Sequence, residues 1–324
     1  MKEKRRITIP LQRLKIESLC WQGDELVDWV AGGIRYQLDG AFRDRCVLFG
    51  YRFDKAIVTP DGKYTVIYET LGTKGLILKG GRIVREINRS YYCADAYEYP
   101  VTLFTLADGR NLIAHCPDEY NIIEIEEVET GRRLTTREGE RHDFFHSRLQ
   151  VSPDSRFLLS AGWIWHPIDA VMTFEVDLAL REPKSLDQGS ISDLLAKAGE
   201  IHNATFASAD TLLLSGKPFD DEAGKPFIGK YSLTESRFLV SAEIEEETGT
   251  MMPLGEFAVG FYEHPKLIEI ATGKIIHRWS DVGSGKQDSS IISHLSKLPS
   301  IALDPGNKRF AVAGDDSITV IELE

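Results

Sequence analysis

An acidic turn recurs along this chain between short apolar runs, as in Thr59-Pro60-Asp61-Gly62-Lys63-Tyr64 and Val151-Ser152-Pro153-Asp154-Ser155-Arg156-Phe157. Looser copies stand at Gln22-Gly23-Asp24-Glu25, Ala107-Asp108-Gly109-Arg110, Ala209-Asp210-Thr211 and Asp304-Pro305-Gly306-Asn307, with a degenerate one at Leu254-Gly255-Glu256-Phe257. The acidic residues Asp24, Asp61, Asp108, Asp154, Asp210, Glu256 and Asp304 are separated by 37, 47, 46, 56, 46 and 48 positions. Asp, Ser and Thr side chains bond to nearby backbone and Gly supplies positive φ, so each copy reads as a tight turn. The segments after the turns, such as Tyr64 to Tyr68, Phe157 to Ser160 and Phe310 to Ala313, are apolar on both faces. That pattern belongs to strands packed between two layers.

Seven near-equal units built from strands, with a period in the forties, give one four-stranded blade per unit. The expected fold is therefore all-β: a seven-bladed β-propeller of antiparallel blades forming a single domain over 1–324. Third strands are expected at Gly75 to Lys79, Asn121 to Glu127, Val171 to Asp177, Leu267 to Ile270 and Ser317 to Leu323. Two of them end in matching hairpins, Thr130-Gly131-Arg132 and Thr272-Gly273-Lys274, leading to outer strands at Arg132 to Thr136 and Lys274 to Trp279. The last unit runs out after three strands, and Arg6 to Leu11 is expected to supply its fourth, closing the ring and removing an open edge. The one long spacing calls for an insertion. Ser190 followed by Asp193, with a stop at Gly199, marks a short helix near 190–199.

The 50 acidic against 38 basic residues leave a net charge of −12. Nucleic-acid binding draws on concentrated Lys and Arg, so such a partner is not expected. The one dense basic cluster, Lys2 to Arg6, reads as a solvated tail. Met1 to Leu14 has no apolar core of a secretory signal and no window is long enough to span a membrane. A cytoplasmic monomer is the expectation. The four cysteines, Cys20, Cys46, Cys93 and Cys116, lack CxxC spacing and read as reduced thiols.

Through Pro60-Asp61-Gly62, Ser152-Pro153-Asp154 and the two Thr-Gly-(Arg/Lys) hairpins, nearly the whole chain resembles the WD-repeat and YVTN-type seven-bladed propellers. The Gly-His pair and the Trp-Asp dipeptide of true WD repeats are absent, and Asp28-Trp29 stands in reverse order. The chain is thus read as a divergent propeller. The resemblance implies a rigid platform for partner proteins, while some relatives are lactonases or redox enzymes.

In a propeller the loops entering the innermost strands and those between second and third strands share one face. His142, His146, His202, His294, His115, His166 and His264 map there, and only His277 lies elsewhere. Aromatic residues join them: Tyr91, Tyr92, Tyr97 and Tyr99, Phe144 and Phe145, Trp163 and Trp165, then Phe219, Phe227 and Tyr262. Trp163 and Trp165 are two apart and point the same way in an extended segment. Exposed Trp and Tyr beside His make a binding surface, or else fill gaps between blades. The leading reading is a noncatalytic scaffold that docks a protein or peptide on Trp163, Trp165, His166, Tyr91, Tyr92, Tyr97, Phe144, Phe145, Tyr262 and His264, with no cofactor. The alternative is a lactonase-like hydrolase or metal-dependent enzyme at the channel mouth, with His142, His146 and His202 as ligands and Asn203 beside them. The acidic residues Asp95, Glu98, Asp118, Glu119, Asp143, Asp169, Asp220 and Asp221 read as solvated loop charges. Gly283 to Gly285 with Lys286 lacks phosphate-loop spacing, and no GxSxG is present.

Overall fold

The seven acidic turns each join the first and second strands of an antiparallel sheet, and the sheets follow one another around a ring. A computed structural model describes residues 1–11, 15–45, 47–189, 199–219 and 224–324. Blade 1 comprises Cys20–Gln22, Glu25–Asp28, Ile34–Gln37 and Phe42–Arg43; blade 2 comprises Lys55–Val58, Tyr64–Tyr68, Lys74–Lys79 and Arg82–Asn88. Blade 3 holds Val101–Thr105, Asn111–His115 and Glu124–Glu127, and blade 4 holds Gln150–Val151, Phe157–Ile164 and Ile168–Glu175. Blades 5 and 6 regain four strands: Glu200–Phe206, Thr211–Lys217, Phe227–Ser232 and Arg237–Glu243, then Met251–Leu254, Phe257–Gly260, Lys266–Glu269 and Lys274–Arg278. Blade 7 consists of Ile301–Asp304, Arg309–Ala313 and Ser317–Leu323, completed by Glu3–Pro10 from the chain start. Lys2 to Arg6 is therefore mostly strand rather than tail, with Ile7 opposite Val320 and Ile9 opposite Ile318. The innermost strands lie side by side from blade 7 through blade 1 to blade 6.

Apolar residues on both strand faces produce seven slabs of core, one between each adjacent pair of blades. Val27, Trp29, Ile67 and Leu78 join blades 1 and 2; Phe104, Leu112, Leu158 and Met172 join blades 3 and 4; Ile9, Val320, Leu26 and Tyr36 join blades 7 and 1. Arg309 adds a polar clasp at that last seam. Its Nε donates to Asp304 at 2.7 Å, its Nη1 to Asp24 at 2.9 Å, and its guanidinium lies 4.0 Å from the Trp21 ring centre.

The outer edges of blades 3 and 4 depart from the regular plan. Arg132 to Thr136 pairs through one bridge, Glu126 to Arg133, because the Thr135 hydroxyl takes the Ile125 N–H at 2.8 Å that a ladder carbonyl would otherwise receive. Its third strand is shorter than expected, beginning at Glu124. In blade 4 the third strand stops at Glu175, and Val176–Arg181 turns into a helix followed by the 3-10 turn Pro183–Asp187. Leu178, Ala179, Leu180 and Arg181 are strong helix formers, so Asp177 opens a helix rather than ending a strand. The insertion expected near 190–199 lies outside the described residues except for Gly199.

Candidate functional site

The face opposite the acidic turns is shaped by three features that meet across it: an aromatic cluster, a long strap and a carboxylate–histidine group. The aromatic cluster starts from the long blade 4 hairpin. Phe145 and Trp163 pair by backbone N–H to carbonyl bonds of 2.9 and 3.2 Å, and their rings stack at 3.8 Å with planes 10° apart. Tyr97 and Trp165 meet this pair edge-on, and Tyr120 stacks on Phe145 at 4.3 Å. Trp163 and Trp165 do lie on one side of the hairpin, with ring centres 5.4 Å apart. Arg89 fixes the loop that carries Tyr91 to Tyr99: it donates to the carbonyls of Gly72 at 2.7 Å and Tyr97 at 3.0 Å and lies over the Tyr97 and Tyr99 rings.

This cluster has a buried base and an exposed rim. Tyr91 is 83% exposed and lies within electrostatic reach of Tyr51 and Lys74 rather than on this cluster; Tyr97, Phe145 and Trp163 are buried, whereas Tyr92 and Trp165 are 49% and 44% exposed. His166 is exposed beside them, at the hairpin tip with φ of 100°. The remaining docking candidates are elsewhere. Phe144 faces the core between blades 3 and 4; Phe227, noted only as an aromatic of the same face, is a buried strand residue of blade 5. Tyr262 and His264 sit on blade 6, where Lys266 approaches the Tyr262 ring and His264 Nδ1 lies 3.0 Å from the Val282 carbonyl. Tyr120 is the missed member; its place between the second and third strands of blade 3 put it on the correct face.

The strap is the connection 279–300 between blades 6 and 7. Loops this long in compact domains are uncommon and usually functional. This one crosses the ring. Ile291 pairs with Tyr97, Ile292 donates to the Ala96 carbonyl at 2.8 Å, and Ser290 N–H donates to Asp169 at 2.9 Å. Returning, Lys297 pairs with Glu17 and Ser300 donates to the Glu17 carbonyl at 3.1 Å. Under it lies a cavity of about 460 Å³ bounded by Lys55, Glu98, Phe261, Leu295 and Leu303 among others. Glu98, expected as a solvated charge, is buried there, taking Lys55 at 2.6 Å and the Tyr68 hydroxyl at 2.9 Å. Burial opposes its charge, but Lys55 and Tyr68 outweigh that and hold the Glu98 carboxyl below its ordinary value.

The histidines expected to gather do not. His146 is buried against Phe144 and Phe174, with Nδ1 3.0 Å from the Ser160 hydroxyl. Burial, reinforced by Arg137, pushes it down to about 3. His142 is exposed. His202 instead keeps company with carboxylates: Glu200 lies 3.6 Å from Nε2 and Glu247 lies 3.3 Å from Nδ1. Burial opposes protonation, yet the two carboxylates prevail and raise it to about 10. Asp169, also expected in solvent, is buried beside this group, and burial raises its pKa against the pull of Arg148. Asn203 accepts from Arg148 at 3.0 Å. The signal for this group was Glu200-Ile201-His202, since residues two apart in a strand share a face. Asp118 pairs with Arg133 and Asp143 with the Tyr120 hydroxyl, while Asp220 and Asp221 lie outside the described residues. Lys286 of the Gly-rich stretch pairs with Glu263.

No protein-family model matches the sequence, and no curated protein is similar to it. The fold does have solved counterparts. Hydrazine synthase of Kuenenia stuttgartiensis superposes with a TM-score of 0.60 over 97% of this chain and 97% of that chain, at 11% identity. At that identity the likeness extends to the seven-bladed ring and no further. Cys20, Cys93 and Cys116 are free thiols, and among the described residues no helix is long and apolar enough to cross a membrane.

Proposed function

We propose that this chain is a noncatalytic interaction scaffold, a divergent relative of WD-repeat and YVTN-type propellers, acting in the cytoplasm. A protein or peptide docks on the rim of Tyr92 and Trp165, with Tyr91 and His166 at its edge. The supporting observation is the exposure of the Tyr92 and Trp165 rings against the stacked base of Phe145 and Trp163, with exposed Tyr91 next to Tyr92 in the chain. Rigid aromatic anchors that lose little side-chain freedom on binding are what interface hot spots use. Buried Trp163, Phe145 and Tyr97 then act by holding the rim, not by touching the partner. The remaining candidates, Phe144, Tyr262 and His264, fall outside this surface.

The test is affinity capture with the full chain against Tyr92→Ala/Trp165→Ala, quantified protein by protein. Specific partners should fall at least tenfold in the double variant while its unfolding midpoint stays within a few degrees. A partner set unchanged by the double substitution sinks the reading.

A further inference from the structure

We infer that Asp169, Glu200 and His202 bind a divalent transition-metal ion of the zinc or manganese class, on the loop face where blades 4 and 5 meet the strap. This is separate from the aromatic rim and does not depend on it. Among the described residues these three form the one group of metal-ligating side chains whose donor atoms all lie within 4.8 Å of one another. One imidazole nitrogen with two carboxylates suits a borderline divalent ion. Calcium, which takes six to eight oxygens, fits it less well.

The donors are also oriented as ligands are. Glu247 stands 3.3 Å from His202 Nδ1, the position of the outer carboxylate that fixes a ligating histidine and leaves Nε2 for the ion. Glu200 Oε1 accepts the Asp169 backbone N–H at 2.9 Å, and Asp169 Oδ1 accepts from the backbone and hydroxyl of Ser290. Blade 4, blade 5 and the strap therefore hold the set together. The charges agree. Asp169, Glu200 and Glu247 outnumber the nearby cations Arg148 and Lys217 when the imidazole is neutral, leaving a net negative charge that a divalent ion offsets.

Three protein ligands leave at least one coordination position. Arg148 Nη2 is buried without a hydrogen-bond partner and lies 4.0 Å from Asp169 Oδ1, leaving a donor for an oxygen bound there. Glu200 and His202 keep 30% and 15% of their side-chain surface, which gives the ion a way in.

The full-length protein, stripped with chelator, is titrated calorimetrically with zinc, manganese and calcium, and its bound metal counted by elemental analysis. About one equivalent of zinc or manganese should bind, with calcium at least roughly tenfold weaker. Glu200→Gln and His202→Ala should each weaken binding more than about tenfold, and Glu247→Gln by about 10- to 100-fold. His277→Ala, on the outer strand of blade 6, should bind as wild type. Circular dichroism checks each fold, and Glu247→Gln, which removes no ligand, decides the matter if His202→Ala does not fold. No uptake by the wild type, a preference for calcium, loss in His277→Ala, or wild-type affinity in Glu247→Gln and the ligand variants overturns the assignment.

Discussion

The two faces of the ring are built from opposite kinds of connection. On the turn face each link is local or reaches the next blade. In both fullest copies a hydroxyl bonds Asp and accepts a strand N–H: Thr59 to Asp61 at 2.5 Å and from Tyr64 at 3.0 Å, Ser152 to Asp154 at 2.6 Å and from Phe157 at 2.9 Å. Asp61, Asp108 and Asp154 then each accept the N–H two residues on. On the loop face the strap leaves blade 6 and bonds to blades 3 and 4 before reaching blade 7. Repetition makes one face a scaffold; the long-range bonds make the other a place where residues distant in sequence converge.

The sharpest way to break this comparison is to add one methyl group to each face. At Gly162 a Cβ would sit 1.9 Å from the Phe145 carbonyl oxygen, because the Phe145–Trp163 pairing brings backbone against backbone. Gly162→Ala should cost about 3 kcal/mol or more in urea unfolding. Gly109 on the turn face has φ of 85° and nothing within 4 Å of the place a Cβ would take, so Gly109→Ala should cost about 1 kcal/mol from φ alone. Equal losses would mean that the loop face is no more tightly packed than the turns.

Acid separates the faces next. His146 has its folded pKa lowered to about 3, below the unfolded value near 6.5. Its stabilising contribution is complete above pH 6.5 and is lost as pH falls toward 3, because the unfolded chain takes up the proton first. Between pH 7 and pH 5 this costs about 2 kcal/mol, and His146→Asn should lose about that much less than wild type over the same interval. The turn aspartates Asp61 and Asp154, lowered by hydrogen bonds from Thr59 and Ser152, resist acid until lower pH. An unchanged pH slope in His146→Asn would remove His146 as the acid-sensitive group.

Smaller effects should follow on the turn face. Ser152 is buried and its hydroxyl accepts the N–H groups of Arg156 and Phe157, so Ser152→Ala should cost about 1 to 2 kcal/mol. Thr59→Ala should do the same two blades away, and the double variant should lose the sum to within about 0.5 kcal/mol. A clear departure from additivity would mean that the turns communicate around the ring.

What the sequence made legible follows from the same contrast. The turns could be read because each encloses its own hydrogen bonds within six residues, and Arg6 to Leu11 could be assigned as the closing strand, which in fact runs Glu3–Pro10, because blade 7 visibly lacked a strand. Trp163 and Trp165 could be paired because strand alternation is local. Glu98 and Asp169 could not be recognised as buried, since Lys55 and Ser290, which satisfy them, lie 43 and 121 residues away. The strap was illegible for that reason: Ile291 shows no sign in the sequence of pairing with Tyr97. Blade 4 ended differently because helix-forming residues from Leu178 onward outweighed the expected strand.

The smallest effect tests the exposed rim itself. Tyr91 is 83% exposed, so Tyr91→Ala removes almost no buried surface and should change stability by less than about 0.5 kcal/mol. Trp165 contacts Phe145, Trp163 and Tyr92, so Trp165→Ala should cost about 1 kcal/mol by lost ring packing. If Tyr91→Ala lowers partner capture while its unfolding curve overlays wild type, the ring is held outside the core for contact rather than for folding. If instead it destabilises as much as Trp165→Ala, the rim belongs to the scaffold, and the division between the two faces ends at the buried base.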